Sequence, residues 1–272
     1  MKKTLIVVMM VLLAAVLIVS CKNNVDSPVM YKVTFDLNGG SGDISSQTVV
    51  KDGKATKPAT DPTPSNANHY VFEFWTKKGE TTEFDFANTA ITADTKLVAK
   101  WKNKYKVGDT GPAGGKIFYV ADTEQTSVWG SDSLTWKYLE AATSNASIGS
   151  NSSYYTWSPA GVTCSTGTGI GSGWSNMQEI TSKDNYAGTF FAANACATYG
   201  ASGFSDWFLP SKDELLELYS QKEQVGGTFS SPYWTSSMSN NGNVYDVNFN
   251  SGVSSDADPL TFYKYVRPIR AF

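Results

Sequence analysis

Tyr31-Lys32-Val33-Thr34-Phe35-Asp36-Leu37 alternates apolar and polar side chains without a break and ends on Asn38-Gly39-Gly40. A period of two places one set of side chains on each face of an extended chain, and asparagine with glycine accepts the positive φ of a tight turn. The same grammar recurs downstream. Gln47 to Val50 reads as a strand closed by Asp52-Gly53, and Tyr70 to Trp75 as a third strand. Lys96 to Trp101 is a fourth, with Leu97, Ala99 and Trp101 on one face, while Pro58, Pro62 and Pro64 make the intervening stretch a loop. Composition agrees. Charged residues make up only 17% of the chain, and Ser, Thr, Asn, Gly and aromatics take their place, which favours short strands and turns over long amphipathic helices.

A polar hinge at Asn103-Lys104 opens a second region. Gly108 to Gly115 is glycine-rich, but no Gly-Lys-Ser/Thr follows it and no helical pattern does. It therefore reads as a turn before the strand Lys116 to Val120 and not as a phosphate loop. Trp136 to Glu140 is a further short strand, and Cys164 to Trp174 a long ordered loop. Asp184 to Tyr199 carries helical periodicity with Gly200 to end it. Pro210 followed by Ser211-Lys212-Asp213-Glu214 is a capping box, and Leu215, Leu218 and Tyr219 form the apolar stripe of a second helix. Strands follow at Tyr233 to Ser237, Asn243 to Phe249 and Tyr263 to Arg270, with Asn241-Gly242 and Ser251-Gly252 as hairpin turns. Two helices among many short strands predict an α+β class.

The first region resembles the Listeria–Bacteroides B repeat of internalin-type surface proteins. The matching pieces are Val33 to Gly40, the aromatic strand Tyr70 to Trp75, Phe84-Asp85-Phe86, and Ile91-Thr92 through Ala99-Lys100-Trp101. Phe74 stands where that family carries glycine before the tryptophan, a change expected to touch a local bulge. In the second region, Asp206 to Leu215, Tyr233-Trp234-Thr235-Ser236-Ser237 and Val266-Arg267-Pro268-Ile269-Arg270 resemble, in order, the domain at the C-terminal end of the Legionella collagen-like adhesin. These resemblances imply a small β-grasp-like domain over residues 30–103, followed by a C-type-lectin-like domain over 104–272. The second fold hosts many ligands, so fold alone assigns none.

Lys2 and Lys3 precede an apolar run from Leu5 to Val19, and Ser20-Cys21 follows. A charged start, a short apolar core and a small residue at the break point are the layout of an export signal. The cysteine at that point resembles the bacterial lipobox, with Ile18 in place of the usual leucine. The resemblance implies a signal peptide over 1–20, lipidation of Cys21 and a polar tether over 21–29. The expected address is the cell envelope: held by the lipid in the outer membrane and facing the surface. Without residues 1–20 the chain keeps 20 of its 22 basic residues against 25 acidic ones, a net charge of −5. It has no electrostatic footprint for nucleic acid. Cys164 and Cys196 either form a disulfide, which in an oxidising compartment would close a loop of about thirty residues, or stand as two separate thiols.

An enzyme is not expected, and no cofactor. His69 is the only histidine and belongs to the first region, so the second cannot build a Ser-His or Cys-His pair. The carboxylates of Asp213 and Glu214 are favoured in a first helical turn without any catalytic task. Glu-Pro-Asn and Trp-Asn-Asp calcium signatures are absent, and Asp256-Ala257-Asp258 is at most a fragment, so no metal site is assigned. Arg267 and Arg270 suit a structural role, pairing with Asp206 or Glu214. The candidate ligand-loop residues are Tyr154, Tyr155, Trp157 and Trp174, aromatics in Ser/Gly/Asn-rich surroundings. The function these readings favour is a surface binding or adhesion module for an extracellular glycan or protein. The alternatives are a structural envelope protein without a ligand, and a metal- or cysteine-dependent modifying enzyme.

Overall fold

The computed structural model describes residues 27–147, 154–158, 162–183, 191–258 and 262–272. The expected signal peptide, Cys21 and most of the expected tether lie outside the described residues.

Four strands, β1 (Met30–Asp36), β2 (Gln47–Val50), β3 (Tyr70–Lys77) and β4 (Thr95–Asn103), form one sheet in the order β2-β1-β4-β3. All four lie where alternation predicts them. β1 and β4 pair in parallel, Val33 against Thr95 and Phe35 against Leu97, while the outer pairs are antiparallel. The register of β3 on β4 slips between Phe72 and Phe74, so the strand bulges next to the Phe74 departure. Val33, Trp75, Phe84, Ile91, Leu97 and Ala99 pack into one apolar cluster on a single face.

The second region begins with a long hairpin, β5 (Lys116–Trp129) and β6 (Asp132–Ala141). The sequence places only the first five residues of β5 in a strand. In the rest, Asp122 to Thr126 are polar and exposed between buried Ala121 and Ser127, so no regular alternation marks the strand. β7 (Tyr154–Tyr155), helices α1 (Ser172–Thr181), α2 (Ala192–Ala197), α3 (Lys212–Ser220) and α4 (Lys222–Val225), and strands β8 (Tyr233–Met238), β9 (Val244–Asn248), β10 (Val253–Asp258), β11 (Lys264–Tyr265) and β12 (Ile269–Ala271) follow. They build a five-stranded sheet, β10-β9-β8-β11-β7, and a three-stranded one, β12-β6-β5.

The α+β expectation is overturned. Among the described residues strand accounts for 37% and helix for 13%, with four short helices, so the fold is mainly β. The expected helix over 184–199 survives only as α2; residues 184–190 lie outside the described residues. Conversely, α1 begins in the last residues of the expected glycine-rich loop and continues where no element is expected. Gly171 and Gly173 at its start obscure the helical period, and tertiary contacts with β5, β8 and α2 hold it. α3 starts as the capping box predicts: Ser211 Oγ accepts from Glu214 N, and Glu214 reaches back to Ser211 N at 2.6 Å.

Candidate functional site

The edge of the five-stranded sheet carries an aromatic row. β7 is its outermost strand, and β11 lies between β7 and β8. Tyr154 on β7 faces Tyr265 on β11 in antiparallel register, with ring centroids 4.3 Å apart and their hydroxyls hydrogen-bonded. That hydrogen bond raises the pKa of Tyr154 above the ordinary phenol value. Tyr265 in turn stands 5.9 Å from Tyr233. Phe262 and Tyr263, just before β11, are 52% and 68% exposed, and Tyr154 is 45% exposed. Among the described residues these three are the large aromatics most open to solvent, and all belong to β7 or to the entry of β11.

Residues beneath the row fix it. Lys264 alternates with Tyr263 and Tyr265 and turns inward, where it forms a buried ion pair with Asp246 of β9. Its ammonium also lies 4.8 Å from the centre of the Trp234 ring. Trp234 Nε1 donates to Tyr155 O at 2.7 Å, and Trp157 Nε1 donates to Thr235 O at 2.7 Å. Tyr155 and Trp157 are thus fully buried supports in the core, Trp174 is half-buried against it, and only Tyr154 of the four sequence candidates opens broadly to solvent. Tyr263 escaped sequence reasoning because Tyr-Lys-Tyr reads there as the start of one continuous strand over 263–270, and Phe262 carries no expected element. The strand instead breaks at Val266 to Pro268, and the first two residues stay outside it.

A concavity of about 330 Å³ lies between residues 163–166 and the β8–β9 turn. It is lined by Thr163, Cys164, Ser165, Thr166, Met238, Ser239, Asn240 and Gly242. Thr166 Oγ1 accepts from Met238 N at 2.7 Å, and Ser237 donates to Gly167 O, so its polar rim is braced. Cys164 is half-buried, and burial pushes its thiol up to about 11. Cys196 is enclosed on α2, and burial pushes its thiol well above its ordinary value. Both are free, so of the two alternatives the separate thiols hold and the disulfide is not formed. Thiols held protonated in this way are poor nucleophiles.

The remaining candidates serve the fold. Arg270 grips Asp206 through Nε and Nη2 at 2.9 and 2.8 Å and reaches Glu140 at 3.2 Å. It pairs with Asp206, as one of the two expectations has it, and not with Glu214. Glu140 is fully buried and accepts from Gly115 N at 2.6 Å and Ala113 N at 3.4 Å. The glycine-rich loop therefore does cradle an anion, but the anion is the protein's own carboxylate. A Cβ at Gly111 or Gly115 would collide with it. Arg267 spends its guanidinium on Ala142 O, Thr228 O and Asn145 Oδ1. Glu214, also fully buried, accepts from the backbone N–H of Gly171, Gly173 and Ser211 and ties the starts of α1 and α3 together. Burial lifts its pKa to about 7 against those hydrogen bonds. Among the described residues no three His, Cys, Asp or Glu side chains converge as metal ligands would.

Comparison with known families agrees with the architecture. The Listeria-Bacteroides repeat domain matches residues 31–100, and the Lcl C-terminal domain matches residues 118–270. No curated protein matches the chain. Both modules are of a surface and adhesion type and neither is an enzymatic family. Because the second match spans more than half of the chain, the protein belongs to the Lcl C-terminal domain family, here preceded by a Listeria-Bacteroides repeat domain.

Proposed function

We propose that the protein is an envelope lipoprotein, held in the outer membrane through Cys21, in which the repeat acts as a spacer and the Lcl-type module binds an extracellular glycan or protein. The observation that carries the spacer role is the parallel pairing of β1 with β4. A chain that enters on β1 and leaves on β4 enters at one end of the sheet and exits at the other. The nine residues of β4 advance it by about 30 Å at ~3.3 Å per residue. An antiparallel pair would return the second module to the anchored end.

The binding role is supported by the edge row Tyr154, Tyr265, Tyr263 and Phe262. Tyrosine offers a rigid apolar face with a polar tip at small conformational cost, which suits both sugars and protein surfaces. The test is a glycan and extracellular-matrix array probed with the purified protein beside Tyr154→Ala and Tyr263→Ala variants. The expected result is capture that both variants lose at an unchanged melting temperature. A blank array at high protein concentration would favour the structural envelope reading instead.

A further inference from the structure

The entry end of the repeat carries an apolar tip that its own core does not use. Met30 and Val50 are direct partners across β1 and β2, so their side chains share one face. That face is the outer one, because the alternate residues Val33 and Val49 supply the core. Val29 lies at the same tip, where its carbonyl accepts from Lys51 N at 2.7 Å. All three side chains are about half exposed, and no other exposed large hydrophobic residue of the repeat lies among the described residues. Lys32 follows Met30 on the outer face, and Lys51 and Lys78 stand at the same end with Asp52 and Asp94.

Eight residue steps separate Cys21 from Val29, a reach of at most about 29 Å even at full stretch. We propose that this tip is a membrane foot: Val29, Met30 and Val50 enter the headgroup region of the bilayer that holds the lipid on Cys21, with Lys32 and Lys51 extending their ammonium groups to lipid phosphates. The inference rests on the lipid-anchored reading. Three side chains are too few to recruit a free protein. Once the acyl chains hold the chain within reach, the contact is intramolecular, and the short tether supplies a high effective concentration. Medium-sized apolar side chains flanked by lysines, whose stems run along apolar surface while the charge stays wet, fit that interface. The foot would stand β1 and β4 upright and hold the Lcl-type module at the full height of the spacer.

The full-length protein in vesicles of phosphatidylethanolamine and phosphatidylglycerol tests this. A bimane label at Lys51→Cys reports the foot, and one at Ser65→Cys reports the opposite end, each in a Cys164→Ser background with nitroxide-headgroup lipid as quencher. Quenching is expected to be severalfold stronger at position 51 than at 65. Combined Val29→Ser, Met30→Ser and Val50→Ser should bring it down to the level of position 65. Equal quenching at the two positions in protein that stays anchored would overturn the foot, as would full quenching at position 51 in the triple variant. Anchoring is judged separately: Cys21→Ser should release the protein, and retention of that variant would sink the anchored reading, and the foot with it.

Discussion

The two modules solve burial in different ways. In the repeat, the enclosed residues are almost all apolar; His69, Thr76 and Thr95 are its buried polar residues. In the Lcl-type module, Lys137, Glu140, Glu214, Asp246, Lys264, Arg267 and Arg270 are all buried beside the apolar core. The difference follows from how each uses its backbone. The repeat pairs its buried peptide groups within one sheet or with other backbone groups, as Ile91 does with Asp52 and Gly53. The larger module encloses loops, and buried N–H and C=O groups off a ladder need other partners. Glu140 answers the N–H groups of the loop at 113–115, Glu214 those at 171–173, Arg267 the carbonyls of Ala142 and Thr228, and Lys137 those of Ala121 and Asp122 at 2.7 and 3.0 Å. These charges hold irregular backbone in place, and each becomes a weak point if its partner is removed.

The largest effect should come from breaking that scheme. Arg270→Ala leaves Glu140 buried without its cation and frees Asp206, so chemical denaturation should show a loss of about 3–5 kcal/mol in the Lcl-type module. A loss below about 1 kcal/mol would mean that Arg270 is replaceable by water.

The matching test in the repeat is an apolar truncation. Leu97→Ala, at a fully buried position, should cost about 2–5 kcal/mol from lost burial and the cavity left behind. If residues 30–103 and 104–272 unfold separately, calorimetry should show the repeat's transition shift while the other stays. One cooperative transition moving as a whole would contradict that separation.

Glu214 sharpens the comparison through pH. Its folded pKa, about 7, stands above the ordinary 4.5, so the folded state favours the protonated form. The stability this contributes is fully present below pH 4.5 and is lost as pH rises through 7. Glu214→Gln should flatten the decline of the Lcl-type module between those values. The same pH slope in the variant would assign the decline to another group.

The smallest effect lies at the seam. Tyr138 Oη donates to His69 O at 2.6 Å and accepts from Lys104 N at 2.9 Å, and His69 Nδ1 meets Glu124 at 2.6 Å. Tyr138→Phe removes the first two bonds and should cost about 0.5–1.5 kcal/mol, read as a lower transition for the repeat in calorimetry. No change would show that the repeat is held by its own cluster alone.

Much of this molecule is legible in its residues taken in order. The four strands of the repeat follow from a period of two closed by turn residues, and the start of α3 from Ser211 and Glu214, because these signals are local. The order of motifs also marks both families. What the chain in order could not decide is whatever joins distant residues. The separation of 130 positions from Glu140 to Arg270 hides their contact. Gly171 and Gly173 at the start of α1 obscure its period, and the short helices of a mainly β molecule are held by packing and not by propensity. The same holds for the aromatics at 154–157. Their composition suggests a ligand loop, yet one residue stays open and two become core, because a short edge strand sends alternate side chains to opposite faces and only the assembled sheet decides which face meets water.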